Sequence, residues 1–223
     1  MSSEPDSRGG GGHPLRNASP AGVPRLLGIT CGGPDLVARV DAALRAGLPA
    51  VLLREDRRPP HLARLAPHGA RLLLHARMPG AEALAARHGF GLHLPGDGDV
   101  ATRVAAVRAR FAGPLSASVH DPDEARAACA AGADLVLLAP LWSPGSKPHD
   151  TRPPLGLAAI GACAAAAGRV LGLGGVTPAR AAQLRAAGAG GAASLGGLFG
   201  PGAPGPDVTA WRAWLAPWAE AAQ

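Results

Sequence analysis

Across residues 25 to 200 the sequence repeats one alternation eight times. A short apolar run such as RLLGITC, PAVLLRE or ADLVLLAP is followed by an Ala-rich amphipathic stretch such as DLVARVDAALRAG or TPARAAQLRAAG. The runs are apolar at consecutive positions, the pattern of strands covered on both faces. Caps punctuate the stretches between them. Thr177 and Pro178 open one helix and Gly188 stops it, and Asp121 opens DPDEARAACAAG in the same way. Strands alternating with helices through short connections predict a parallel sheet, and eight such units close into a (β/α)8 barrel. An open doubly wound sheet is the rival, but GITCGGPD after the first run lacks the G-x-G-x-x-G turn. The repeats fall short of the roughly 250 residues typical of such barrels. The helices must therefore be short, and between Glu55 and Arg71 there is room for barely two turns.

The flanks read differently. Residues 1–23 are Gly, Ser, Pro and charge without a period, which predicts a disordered tail. Residues 24–200 form the predicted barrel. Residues 201–223 carry Trp211, Trp214 and Trp218 at helical spacing, which predicts a closing helix packed on the barrel or a homodimer contact.

Composition narrows the partners. The formal charge is +6, yet the Arg residues are scattered along helical stretches and form no basic block. Aromatic residues make up 3% and Tyr is absent, which leaves no stacking platform for single-stranded nucleic acid. No apolar stretch of membrane length is free of charges or breakers. Three Cys without metal-ligand spacing fit free thiols in a reducing cytoplasm. The expected partner is a phosphorylated small molecule, with neither nucleic acid nor membrane. One residue sharpens this: Lys147 is the only Lys in the chain, and it lies in the Gly/Pro/Ser loop LWSPGSKPHD, where a lone ammonium can hold a phosphate as a point charge.

Active groups of such barrels lie at the C-terminal ends of the strands. These ends carry Arg54 and Glu55 after the second run, His75 and Arg77 after the third, and His93 leading to Asp97 and Asp99 after the fourth. Ser118 and His120 follow on the fifth, and the Lys147 loop after the sixth. The seventh and eighth runs end in the pairs Gly174-Gly175 and Gly196-Gly197. Glycine lets backbone amides approach a phosphate, and phosphate sites after strands 7 and 8 recur in this fold. His75, His93 and His120 end three successive strands, and three His with an open position can hold zinc.

Taken together, PAVLLRE, GLHLPGDGD, SASVHDPDEARAACAAGADLVLLAPLWSPGSKP and LGLGGVTPARAAQLRAAGAGGAASL resemble the thiamine phosphate synthase family, with the thiazole tautomerases as a related branch. The resemblance implies a (β/α)8 barrel with a thiazole phosphate at the Gly174-Gly175 and Gly196-Gly197 loops. It implies that Lys147 holds the diphosphate of an aminopyrimidine substrate, with Arg54, His75, Ser118 and Ser146 also binding substrate.

The departures bear on the branch. After strand 3 the family's Asn-Asp reads His75-Ala76, so a magnesium carboxylate is missing. The second magnesium Asp falls near Gly98, between Asp97 and Asp99, either of which would have to substitute if the chain is a magnesium-dependent synthase. A tautomerase needs no cofactor and calls for a positioned acid/base, and His120 matches the histidine which that branch places after strand 5. The sequence-based expectation therefore leans to tautomerase-like proton transfer by His120, with the synthase as alternative and a non-catalytic thiazole-phosphate binder as a further one.

Overall fold

A computed structural model describes residues 24–143, 153–200 and 208–219. The predicted tail, the calls on Ser146 and Lys147, and the ends of the C-terminal segment lie outside the described residues.

Eight parallel strands close on themselves in sequence order. They are β1 (Leu26–Ile29), β2 (Ala50–Leu53), β3 (Leu72–His75), β4 (Gly91–Leu94), β5 (Leu115–Val119), β6 (Leu135–Leu138), β7 (Val170–Gly172) and β8 (Gly191–Ser194). The helices are α1 (Leu36–Arg45), α2 (Ala81–His88), α3 (Val100–Arg108), α4 (Pro122–Ala130), α5 (Gly156–Ala167), α6 (Pro178–Ala186) and α7 (Val208–Ala219). None exceeds twelve residues, which is how eight units fit in so short a chain.

The strands are apolar throughout because both faces are covered. Val51, Leu53, Leu72, Leu74, Val136 and Leu138 face the helices, whereas Leu27, Ile29, Leu52, Leu73, Leu137 and Leu171 fill the barrel. Burial of each such side chain contributes about 1.5–3 kcal/mol. Alanines at buried helix positions, such as Ala85, Ala125, Ala128 and Ala181, let short helices lie close to the sheet.

Capping follows the sequence in two places. Asp121 accepts from the Glu124 N–H at 2.8 Å, and Asp99 accepts from the Thr102 N–H at 3.1 Å. At α6, Thr177 occupies the cap position but makes no capping hydrogen bond through its side chain. Between β2 and β3 the connection is a 3-10 segment, Leu62–Arg71, containing Pro67 and broken at Gly69. After β8 the chain makes a single turn closed by Phe199 and Gly200 N–H groups on the Leu195 carbonyl, where a helix would complete the repeat. The helix that follows, α7, buries Trp211, Trp214 and Trp218, and the Trp218 indole N–H donates to the Ala189 carbonyl.

Candidate functional site

The C-terminal ends of the strands form two distinct regions. At β7 and β8 a cavity of about 380 Å³ is lined by Gly174, Gly175, Thr177, Arg180, Gly196 and Gly197. Its size suits a small phosphorylated ligand. Gly174 and Gly175 have φ of +93° and +63°. A Cβ on Gly174 would stand 2.9 Å from Pro140 Cα, and one on Gly175 would stand 2.7 Å from Trp142 Cβ. Both the backbone twist and the close approach require glycine here. The eighth-strand pair differs: Gly196 faces open space, while Gly197 packs on Trp214 and its N–H donates to Ser194 Oγ at 3.3 Å.

Arg180, in the first turn of α6, supplies a cation that the loop motifs did not reveal. Its Nη1 donates to the Gly175 carbonyl at 2.5 Å, and its guanidinium carbon lies 4.8 Å from the centroid of the Trp142 ring. Hydrogen bond and cation–π contact fix the group beside the glycine loop. It was hidden in sequence because one Arg among many on Ala-rich helices carries no signal of its own.

On the opposite side, β3 to β5 put a polar ladder into the barrel where the other strands contribute apolar side chains. His75 pairs in register with His93, and His93 with Ser116. His93 hydrogen-bonds Ser116 Oγ through Nδ1 at 2.8 Å and Ser118 Oγ through Nε2 at 3.0 Å. Burial pushes His93 down to about 3, with the neighbouring His75 and Arg54 adding to it. Burial, then Arg54 and Arg77, push His75 down to about 4. Both rings are neutral at physiological pH.

This geometry removes the three-His zinc reading. Both His93 nitrogens are engaged by serine hydroxyls, and no cluster of three or more His, Cys, Asp or Glu stands ready for a metal among the described residues. His120 lies beside this ladder. Its ring rests over Gly96, where a Cβ would stand 2.5 Å from its Cε1, and its Nδ1 is 3.2 Å from Glu124 Oε2. The arrangement orients His120 from behind, but neither it nor Ser118 lines the β7–β8 cavity.

Magnesium is the conditional expectation for Asp97 and Asp99, and neither carboxylate fits it. Asp97 is bridged by Arg77 at 3.2 Å and Arg103 at 3.0 Å. Its own backbone N–H and Arg77 hold its carboxyl below the ordinary value. Asp99 is committed to capping α3, bonding both the N–H and the hydroxyl of Thr102. Glu55 accepts from Thr30 Oγ1 at 2.6 Å and from the Gly32 N–H at 3.0 Å. Asp56 is exposed between Arg54 and the pair Arg57-Arg58. Magnesium prefers one or two uncommitted carboxylates with substrate phosphates, and Ala76 offers none. Arg54 is anchored through its backbone N–H to Thr30 Oγ1, while its guanidinium has no hydrogen-bond or ion-pair partner among the described residues.

A closed parallel barrel whose mouth holds a glycine-walled, arginine-flanked cavity after β7 and β8 defines the class, a (β/α)8 protein. Comparisons with known proteins make this particular. Residues 26–198 match the family model for thiamine monophosphate synthase. A thiamine-phosphate synthase from Chromobacterium violaceum is 35% identical over 199 residues, 79% of this chain and 90% of that protein. One from Roseiflexus castenholzii is 35% identical over 189 residues, 78% of each. A bifunctional thiamine biosynthesis protein ThiM/ThiE from Symbiobacterium thermophilum is 36% identical over 185 residues; the match takes in 77% of this chain but only 36% of that longer protein. Among solved structures, thiamine phosphate pyrophosphorylase from Pyrococcus furiosus superposes with a TM-score of 0.64 over 90% of this chain and 98% of its own, at 18% identity. That likeness speaks for the fold. The chain belongs to the thiamine monophosphate synthase family of enzymes. No helix among the described residues is long and apolar enough to cross a membrane.

Proposed function

We propose that the chain acts as a thiamine phosphate synthase, joining an aminopyrimidine diphosphate to a thiazole phosphate with loss of diphosphate. The family match over residues 26–198, with relatives named as synthases at about the same length, carries this reading. It favours the alternative over the tautomerase expectation. In this step the thiazole ring nitrogen forms a C–N bond to the exocyclic methylene carbon of the pyrimidine. The C–O bond to diphosphate breaks and its electron pair leaves with the diphosphate, so nothing is oxidised or reduced. The thiazole phosphate sits in the β7–β8 cavity, against the amides of Gly174, Gly175 and Gly196, the Thr177 hydroxyl and Arg180. The polar ladder of His75, His93 and Ser118 faces the pyrimidine, and Lys147 with Ser146 serves the diphosphate side.

A direct comparison of the two chemistries tests this. Purified chain supplied with both substrates is expected to form thiamine phosphate and diphosphate in equal amounts. Isomerisation of a thiazole carboxylate phosphate, lost in His120→Ala and unaccompanied by condensation, would return the assignment to the tautomerase branch.

A further inference from the structure

We infer that this chain neutralises the diphosphate with arginine side chains at the β2–β4 side of the mouth, chiefly Arg54 and Arg77, without a protein-held divalent cation. The inference rests on the synthase reading and deepens it.

Positive charge flanks the positions that would hold a metal. Arg54 follows β2 with its backbone tied to Thr30 and its guanidinium unpartnered among the described residues. Arg77 follows β3, is 58% exposed, and among the described residues its side chain pairs with Asp97 alone. β2 and β3 pair in register with Leu53 opposite Leu74, so Arg54 and Arg77 follow adjacent strand ends on the same side of the mouth, beside His75. The Arg77 N–H donates to His75 Nδ1 at 3.3 Å, so the neutral ring carries its proton on Nε2 as a further donor. Arg103 stands behind, bonded to the Pro95 carbonyl at 2.6 Å and to Asp97.

A divalent ion entering here would meet the guanidinium groups of Arg54, Arg77 and Arg103; Asp97 is already shared by two of them, and exposed Asp56 stands in sequence among Arg54, Arg57 and Arg58. A diphosphate entering here meets two forks whose geometry matches phosphate oxygens bidentately. In the transition state the departing oxygen gains negative charge, and fixed guanidinium groups can stabilise it as a metal would.

Titration calorimetry of the full chain with inorganic diphosphate in EDTA tests the inference. Binding is expected without metal, at least tenfold weaker in Arg54→Ala and in Arg77→Ala, and changed less than threefold by magnesium. Asp97→Asn is the control for a metal role: releasing Arg77 should leave affinity for diphosphate undiminished. Failure to bind in EDTA, or a tenfold gain with magnesium that Asp97→Asn abolishes, would overturn the inference. Condensation assayed in parallel separates the two claims. Product formed only with magnesium overturns the arginine site and leaves the synthase reading intact. Absence of product in either condition, with arginine-dependent binding preserved, upholds the arginine site and sinks the synthase reading.

Discussion

Arg180 lies over the face of Trp142, 4.8 Å from guanidinium carbon to ring centroid, and the same guanidinium donates to the Gly175 carbonyl. One side chain thus joins β6's exit, the β7 glycine loop and the start of α6. Arg180 also lines the cavity between β7 and β8. Removing this charge should cost affinity for the phosphorylated ligand more than turnover. A charge-assisted hydrogen bond is worth about 1.5–3 kcal/mol, roughly 10- to 100-fold. Arg180→Ala should raise KM for thiazole phosphate by that factor and leave binding of the unphosphorylated thiazole alcohol unchanged. Equal losses for both ligands would show that Arg180 only props the loop.

The two glycine pairs should respond differently to a methyl group. Gly175→Ala meets both a positive φ and Trp142 Cβ at 2.7 Å, and a strained backbone of this kind costs about 1–3 kcal/mol. Gly196→Ala meets nothing within 4 Å. The first variant should lose both thermal stability and ligand binding. The second should melt within a degree or so of the parent, yet bind thiazole phosphate more weakly because its Cβ crowds the cavity. Parent-like binding by Gly196→Ala would remove that loop from the site.

Acid should weaken the fold through the buried histidines. His75 and His93 are depressed to about 4 and about 3 in the folded chain, against the ordinary 6.5. Between these values the unfolded chain binds more protons, so stability falls as pH drops below 6.5 and continues falling towards pH 4. Each buried ring contributes a loss of a few kcal/mol, about 1.4 kcal/mol per pH unit. Urea unfolding at stepped pH should show this slope, and His75→Asn, which cannot be protonated, should flatten it. A level profile from pH 7 to 4 would contradict the neutral polar ladder.

A second strut lies outside the mouth. Arg108 on α3 donates to Asp134 Oδ2 at 2.7 Å and to the carbonyls of Gly132, Phe111 and Gly113. Asp134 also accepts from the Leu115 N–H at 2.9 Å. Both partners are largely buried. Breaking a buried pair from one side costs about 3–5 kcal/mol, so Asp134→Ala should lower the urea midpoint sharply. An unshifted midpoint would mean that the pair is relieved by solvent.

The barrel was legible because its signal is repeated: eight apolar runs, Ala-rich partners and capping residues such as Asp121 all point one way. The glycine loops were legible because fold and motif coincide at residues 174–175 and 196–197. The expectation of α-helical turns between β2 and β3 gave way to a 3-10 segment broken at Gly69, since Pro67 and that glycine oppose a regular helix. Neither the commitment of Asp97 to two arginines nor that of Asp99 to the α3 cap could be read from a D-G-D spacing. Both depend on which side chains the loops bring opposite each other. Arg180 was missed for the same reason, its partner Trp142 being far away in the chain. The tautomerase lean rests on the carboxylate lost at Ala76, the magnesium position that falls at Gly98 and the match of His120, and it weighs these local features above the likeness to synthases along the chain.

The most direct measurement of the central claim is condensation itself, followed by mass spectrometry as thiamine phosphate accumulates from the two phosphorylated substrates. The account predicts product from the parent chain and, from a folded Arg180→Ala variant, product only at raised thiazole phosphate concentration. A folded chain that binds thiazole phosphate yet forms no thiamine phosphate at any concentration of either substrate, with or without magnesium, would contradict it.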